Sequence, residues 1–300
     1  MSLLLLPDTA YTIESAIRTA ADAFERHDLY YGHGTDSAVH EAGWLILHGM
    51  GLSPVIEPDY TRVLEAAQVS SCNALLERRI VERIPAAYLT GQAWFAGHPF
   101  LSDQRALVPR SPLAEFITED FFGLLDDVTA PRILDLCTGG GCIAIACAHA
   151  RKDAQVDASD LSDSALELAG ENVRLHGLQD RVTLLHGSLF EPITERYALI
   201  ISNPPYVNAQ DLSEMPAEFT HEPMMGLAAG EDGLDLVHLM LRDASRYLEP
   251  GGLLVVEVGN SGEALERACP SLDFGWLQFA RGGHGVFLLT REELLAGATH

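Results

Sequence analysis

Lysine occurs once in this 300-residue chain, at Lys152, and arginine supplies the rest of its 19 basic residues. Against them stand 43 acids, for a formal net charge of −24. Nucleic acid binding needs a dense cationic surface, so no direct DNA partner is expected. A basic partner or a small ligand suits such a chain better. Its five cysteines, Cys72, Cys137, Cys142, Cys147 and Cys269, are odd in number and form no CxxC pair, which argues against a disulfide framework and a structural zinc site. The free thiols point to a reducing, cytoplasmic setting. Twelve histidines show neither HxH nor HExxH spacing, so no metal site is predicted. No stretch reaches the roughly 18 apolar residues of a membrane span. The four-leucine run at 3–6 has no preceding positive charge and is too short for a secretory signal. Internal repeats and low-complexity segments are also lacking.

What is present is a foldable chain, 47% apolar and 21% charged, long enough for about two domains. Apolar residues Ile13, Ile17, Ala20 and Phe24 recur at helical spacing through 12–28, and similar periods run through 36–50 and 59–84. Residues 1–86 therefore read as a helical domain. Between Pro85 and Arg110 the period gives way to Tyr88, Trp94, Phe95 and Phe100 around Gly91 and Gly97, read as extended structure; a β-hairpin linker is assigned to 87–110. Beyond Pro131, strand candidates at 132–136, 155–159, 182–186, 197–202, 253–258 and 286–289 alternate with helices, notably 162–176 and 234–248. That alternation predicts an α/β domain over 111–300 with a mostly parallel sheet covered by helices on both faces. Ligands of such sheets sit at the carboxyl ends of the strands, near the switch point.

The first strand candidate ends on Asp135 and runs through Leu136, Cys137 and Thr138 into Gly139-Gly140-Gly141 before an apolar helix. Glycine permits the sharp turn and close ligand approach, while the carboxylate of Asp135 suits an amine-bearing or cationic ligand better than a pyrophosphate. At the end of the next strand Asp160 is placed to accept both hydroxyls of a ribose; capping the helix that follows is its bland alternative. An adenosine bearing a sulfonium and an amino acid tail, S-adenosylmethionine, meets all three features.

After the strand at 197–202 comes Asn203-Pro204-Pro205-Tyr206. Two prolines stiffen the turn and free its carbonyls to accept from a ligand. Asn203 adds a side-chain oxygen and Tyr206 a flat face for stacking. Such a platform can bind both hydrogens of a planar NH2 group, by the Asn203 oxygen and the Pro204 carbonyl. An amide nitrogen, otherwise a poor nucleophile, would be held in line with a methyl sulfonium, with acceptors placed where positive charge develops.

These motifs resemble those of class I methyltransferases acting on planar NH2 groups, and the chain is similar over nearly its whole length to the HemK-type protein glutamine N5 methyltransferases. Tyr88-Leu89-Thr90-Gly91, Val108-Pro109-Arg110-Ser111-Pro112 with Glu115, and Glu222-Pro223 followed by Gly230-Glu231-Asp232-Gly233-Leu234 carry the resemblance. Tyr31-Gly32-His33-Gly34-Thr35-Asp36 and Ala93-Trp94-Phe95 resemble the branch acting on large-subunit ribosomal protein L3, and Pro109-Arg110-Ser111-Pro112-Leu113-Ala114-Glu115 departs from the release-factor branch. The release-factor branch usually carries Pro-Arg-Pro followed by an acid and Thr-Glu. The resemblance implies a class I (Rossmann-like) methyltransferase domain with a seven-stranded sheet, preceded by a substrate-recognition domain, and S-adenosylmethionine as cofactor. It assigns Asn203, Pro204, Pro205 and Tyr206 to catalysis. Cofactor binding falls to Asp135, Cys137, Thr138, Gly139, Gly141, Asp160, Leu161, Ser188, Leu189 and Asn203, and substrate binding to Arg110 and Glu222. Two positions depart from the family: Gly140 stands where a serine is common, and Ser188 where an adenine-binding acid is often found.

Arg110 has two readings, a substrate carbonyl or a neighbouring acid as its partner, and Glu257, at a strand end, reads as structural. From 197 to 241 there is no lysine or arginine, yet Asp211, Glu214, Glu218, Glu222, Glu231, Asp232 and Asp235 lie there. That acidic stretch would steer a basic ribosomal protein toward the turn. A release-factor methyltransferase, an adenine methyltransferase, disfavoured by the charge, and a non-catalytic ribosome assembly factor are the competing readings.

Overall fold

Thr12 and Ser37 begin the helical part as N-caps, their side chains accepting from the backbone N–H groups of Ser15 and His40. A computed structural model of the chain describes residues 4–6 and 9–297; the leucine run at 3–6 therefore lies partly outside the described residues, as does the end of the segment 111–300. Two compact units emerge, Met1–Ala93 with Pro216–His221, and Trp94–Met215 with Glu222–His300. In the first unit the helices are α1 (Ile13–Arg26), α2 (Ala38–Gly49), α3 (Ala66–Glu77) and α4 (Ala86–Thr90). The predicted stripe of α1 is the buried one, with Ile13, Ala20 and Phe24 fully enclosed. At the contact of α2 and α3, a Cβ on Gly49 would stand 2.7 Å from Cys72 Sγ, so only glycine permits this approach.

The helix expected from residue 59 starts at Ala66 instead. Asp59 accepts from the N–H and hydroxyl of Thr61, at 3.0 and 2.6 Å, and this local turn competes with helix formation. α3 runs into a π turn, Arg78–Glu82, that ends with Arg83 in the left-handed region. Likewise the stretch after Pro85, expected to be extended, opens with α4, because Pro85 has the preset φ that a helix start tolerates. Extended structure follows as a hairpin, β1 (Gln92–Phe95) and β2 (His98–Leu101), closed by Ala96 and Gly97, both at positive φ.

The second unit carries α5 (Leu113–Thr118), β3 (Arg132–Leu136), α6 (Cys142–Ala150), β4 (Gln155–Asp160), α7 (Asp163–Leu175), β5 (Val182–His186), β6 (Tyr197–Ser202), α8 (Ala209–Glu214) and α9 (Asp235–Asp243). It continues through β7 (Leu248–Glu257), α10 (Gly262–Ala268), β8 (Gly275–Trp276), β9 (Val286–Thr290) and α11 (Arg291–Gly297). The sheet order is β5-β4-β3-β6-β7-β9-β8, parallel from β5 to β7, with β9 antiparallel to β7 and β8 antiparallel to β9. This is the expected α/β architecture.

Every residue of β6 is buried, as a central strand covered on both faces requires. The register aligns the carboxyl ends: Leu136 lies opposite Ser159 and Ser202, and Ser202 opposite Val256. Strand order reverses between β3 and β6, so the glycine loop and the Asn-Pro-Pro-Tyr turn leave the sheet on the two sides of its switch point. Among the described residues no helix is long and apolar enough to cross a membrane.

Candidate functional site at the carboxyl edge of the sheet

Asp135, the penultimate residue of β3, is fully buried. Its Oδ2 accepts from the Thr138 hydroxyl at 2.5 Å and the Ala144 N–H at 3.1 Å, while Oδ1 has no hydrogen-bond partner among the described residues. Burial pushes the carboxyl up to about 7; the bonds from Thr138 and Ala144 oppose the shift and the nearby charge of Asp160 adds to it. A buried carboxylate oxygen without a donor has the capacity to accept from a cationic or amine group.

The loop that follows is built by backbone bonds, Thr138 N–H to the Ser159 carbonyl at 3.0 Å and Gly141 N–H to the Thr138 carbonyl at 2.9 Å. Cys137, Gly139 and Gly141 all take positive φ. A Cβ at Gly140 would meet Leu168 at 3.5 Å, an ordinary contact, so the serine common in the family would fit there. Gly140→Ser is accordingly expected to leave thermal stability unchanged, checked by calorimetry. The Cys137 and Cys142 thiols are pushed well above their usual range by burial and neighbouring carboxylates, which suits packing and not nucleophilic chemistry.

Asp160 is not the cap of the helix that follows, its bland alternative; its carboxylate braces the glycine loop and the turn into that helix. One oxygen accepts from Gly139 N–H at 2.8 Å and the other from Ser162 N–H at 2.9 Å, while the cap of α7 itself is Ser162. Each carboxylate oxygen keeps lone-pair capacity for a further donor. Leu161 is exposed and Leu189 buried at positive φ. Ser188 is exposed, with its N–H 3.4 Å from a carboxylate oxygen of Glu191. Three residues on, Glu191 thus brings to this loop an acid that position 188 lacks.

Across the switch point Asn203 is half-buried and donates from Nδ2 to the Arg110 carbonyl at 3.4 Å. A carbonyl can only accept, so the amide nitrogen faces Arg110 and Oδ1 points away from it. The Arg110 guanidinium forms a two-pronged pair with Glu222, at 2.6 Å on each prong, and Glu222 also accepts from Val108 N–H at 2.9 Å. Of the two readings of Arg110, the structure supplies the acid. Arg110 and Glu222 clamp the 108–112 segment that in turn orients Asn203.

Tyr206 donates its hydroxyl to Glu257 Oε1 at 2.8 Å, and Ser111 donates to Glu257 Oε2 at 2.5 Å. Burial pushes both the Tyr206 phenol and the Glu257 carboxyl up. Glu257 is the residue whose part in the site the sequence reading missed; its only signal was an acid ending the strand beside β6.

The acidic stretch differs from expectation. Glu218 is 1% exposed and pairs with Arg79 at 3.0 Å and Arg83 at 3.3 Å, and Glu222 is the buried partner of Arg110. Neither faces solvent; of the acids in this stretch, Glu214, Glu231, Asp232 and Asp235 are the exposed ones. Although far apart in sequence, His98, His149 and His176 gather on the second unit. The rings of His98 and His149 stack at 4.2 Å, and His176 bonds both His149 and the Pro99 carbonyl. One ring nitrogen of each of the three lies within 4.8 Å of the others, close enough to hold a metal ion, although their sequence spacing predicted no metal site.

Residues 16–91 match the PrmC N-terminal domain and residues 118–230 the Methyltransferase small domain. The ribosomal protein uL3 glutamine methyltransferase of Neisseria gonorrhoeae is 45% identical over 95% of this chain and 96% of its own length. The protein of that description from Xanthomonas campestris is 47% identical over 96% of this chain and 94% of its own. The hMettl16 catalytic domain, 16% identical with a TM-score of 0.50 over 78% of this chain and 86% of that one, shares the fold. With a methyltransferase domain on this sheet and relatives alike from end to end, the chain belongs to the ribosomal protein uL3 glutamine methyltransferase family.

Proposed function

We propose that this protein methylates the side-chain nitrogen, N5, of a glutamine in ribosomal protein uL3, with S-adenosylmethionine as donor. One observation carries the reading: an Asn-Pro-Pro-Tyr turn with Asn203 Oδ1 oriented to accept leaves β6 across the switch point from the unpartnered Asp135 Oδ1. When bound, the donor supplies a methyl carbon made electrophilic by a sulfonium. Asp135 would hold its amino group, Asp160 its ribose hydroxyls, and Ser188 with Glu191 its adenine amine. Asn203 Oδ1 and the Pro204 carbonyl would accept the two hydrogens of the glutamine carboxamide, and Tyr206 would stack on its plane. As the N–C bond forms and the methyl–sulfur bond breaks, positive charge grows on nitrogen, where the acceptors stabilise it most. One N–H proton then passes to solvent, and no covalent enzyme intermediate is needed. Residues 1–86 would recognise uL3, with 87–110 as linker and 111–300 as the methyl-transferring part.

Incubating the protein and labelled donor with purified uL3, a release factor and DNA tests the substrate. Label is expected in uL3; label only in the release factor would move the chain's activity to the neighbouring branch, and label nowhere would favour an assembly factor.

The Asp135 carboxyl predicts a pH effect with a definite sign. A cationic ligand needs the carboxylate, whereas the ligand-free group, pushed up to about 7, is increasingly protonated below that pH. Donor affinity is therefore expected to fall as pH drops through that value, by up to about tenfold per unit, and to level off above it. Calorimetric titration at each pH, set against Asp135→Asn, cancels the donor's own titration; equal slopes for both proteins would contradict the assignment.

A further inference from the structure

Glu257 is 5% exposed, yet among the described residues its carboxylate accepts from two neutral hydroxyls, those of Tyr206 and Ser111, with only the charge of Arg110 acting on it from nearby. The Ser111 oxygen also accepts from Leu113 N–H at 3.0 Å, so its own hydrogen is the one given to Glu257. Burying a carboxylate in this way costs stability that an apolar side chain of similar size would spare. Packing alone does not account for it.

The bonds join the two segments that shape the carboxamide site. Ser111 follows Arg110, whose carbonyl orients Asn203, and Tyr206 ends the turn that Asn203 begins. Two glycines let the backbone come close to the tyrosine: a Cβ on Gly259 would stand 2.7 Å from the ring, and one on Gly233 would stand 2.3 Å from the Tyr206 carbonyl oxygen. The Glu257 carboxylate holds the outer end of the ring.

We propose that Glu257 is a positioning residue for methyl transfer: by holding Ser111 and Tyr206 on its two oxygens it locks the aromatic face against the carboxamide and enriches that face in electrons. The inference rests on the function proposed above, in which the Tyr206 ring stacks on the reacting amide. A phenol that donates to a carboxylate carries more negative charge into its ring, and a ring face attracts positive charge. Positive charge appears on the amide nitrogen only as the methyl arrives. The contribution of Glu257 thus belongs to the transition state and is read in kcat, with little effect on the binding of either substrate.

The test combines Glu257→Gln, which keeps shape and an acceptor but removes the charge, with Tyr206→Phe and the double variant. Fluorotyrosine-labelled protein gives a fluorine resonance for Tyr206, assigned by its loss in Tyr206→Phe. That resonance is expected to shift in Glu257→Gln while the other tyrosine signals hold; an unmoved signal would overturn the proposal whatever the substrate proves to be. In methylation of uL3, each single variant is expected to lose about tenfold in kcat, with KM for uL3 and donor affinity within about twofold of the unaltered protein. Because Glu257 acts through Tyr206, the double variant should be no slower than the slower single. Multiplied losses, or a loss confined to KM, would overturn the proposal. Absence of methylation by the unaltered protein would strike the substrate reading instead, leaving the fluorine shift to decide the Glu257 link.

Discussion

Asn203→Ala is expected to slow methyl transfer to uL3 by about 10²–10³-fold while leaving donor affinity within about threefold, the range seen when one preorganised polar group facing developing charge is removed. The reasoning is electrostatic. Asn203 Oδ1 is oriented before substrate arrives, because Nδ2 is held by the Arg110 carbonyl and Arg110 is clamped by Glu222. An acceptor fixed in this way needs no reorganisation as charge grows on the amide nitrogen. Alanine leaves one N–H of the carboxamide unbound in the transition state. Single-turnover kinetics at saturating donor separate this loss from binding, and a rate within about threefold of the unaltered protein would remove Asn203 from the reaction.

The second large effect concerns stability. Arg79 is fully buried in the first unit, donating to Glu41, to Glu218 at 3.0 Å and to the Tyr30 carbonyl at 2.8 Å. Arg79→Ala leaves the buried Glu41 carboxylate without its cation and Glu218 with Arg83 alone, a change that costs about 3–5 kcal/mol. Urea denaturation is expected to show a midpoint lowered by a corresponding amount. Replacing Arg79, Glu41 and Glu218 together by Met, Leu and Leu should recover most of it, since the charges then vanish as a set.

The effect has a pH signature. Burial pushes the Glu218 carboxyl up, but the Arg79 bond and charge, with the Tyr30 N–H, outweigh it and the net direction is down. A lowered folded value gives stability that is present above the ordinary glutamate range and lost as pH falls through the folded value. The gap between Arg79→Ala and the unaltered protein should therefore narrow in acid. A gap that is constant with pH would mean that the network adds packing and no charge pairing.

Legibility in the sequence followed the range of the forces involved. β3, β5 and β6 fall at their predicted limits because each is a short apolar run closed by polar or glycine-rich sequence. The glycine loop and the Asn-Pro-Pro-Tyr turn were legible because their backbone demands are local. β8, two residues long, is too short for any alternation to show. Pairings across long separations left no trace: Arg79 with Glu218, Arg110 with Glu222 and Glu257 with Ser111 join residues 139, 112 and 146 positions apart. Acids that looked like a solvated charged stretch were in two cases the buried halves of such pairs. Glu257 passed as a structural strand end because nothing local tells a packing acid from one bonded to the Asn-Pro-Pro-Tyr turn.

The central claim is that this turn holds both hydrogens of a carboxamide opposite the methyl donor. A crystal structure of the protein with S-adenosylhomocysteine and a glutamine-bearing peptide of uL3 tests it most directly. The account predicts the glutamine side-chain nitrogen within hydrogen-bond distance of both Asn203 Oδ1 and the Pro204 carbonyl, with its plane against Tyr206 and its lone-pair direction toward the donor sulfur. A glutamine amide bound away from these two oxygens, or a turn facing away from the donor, would contradict it.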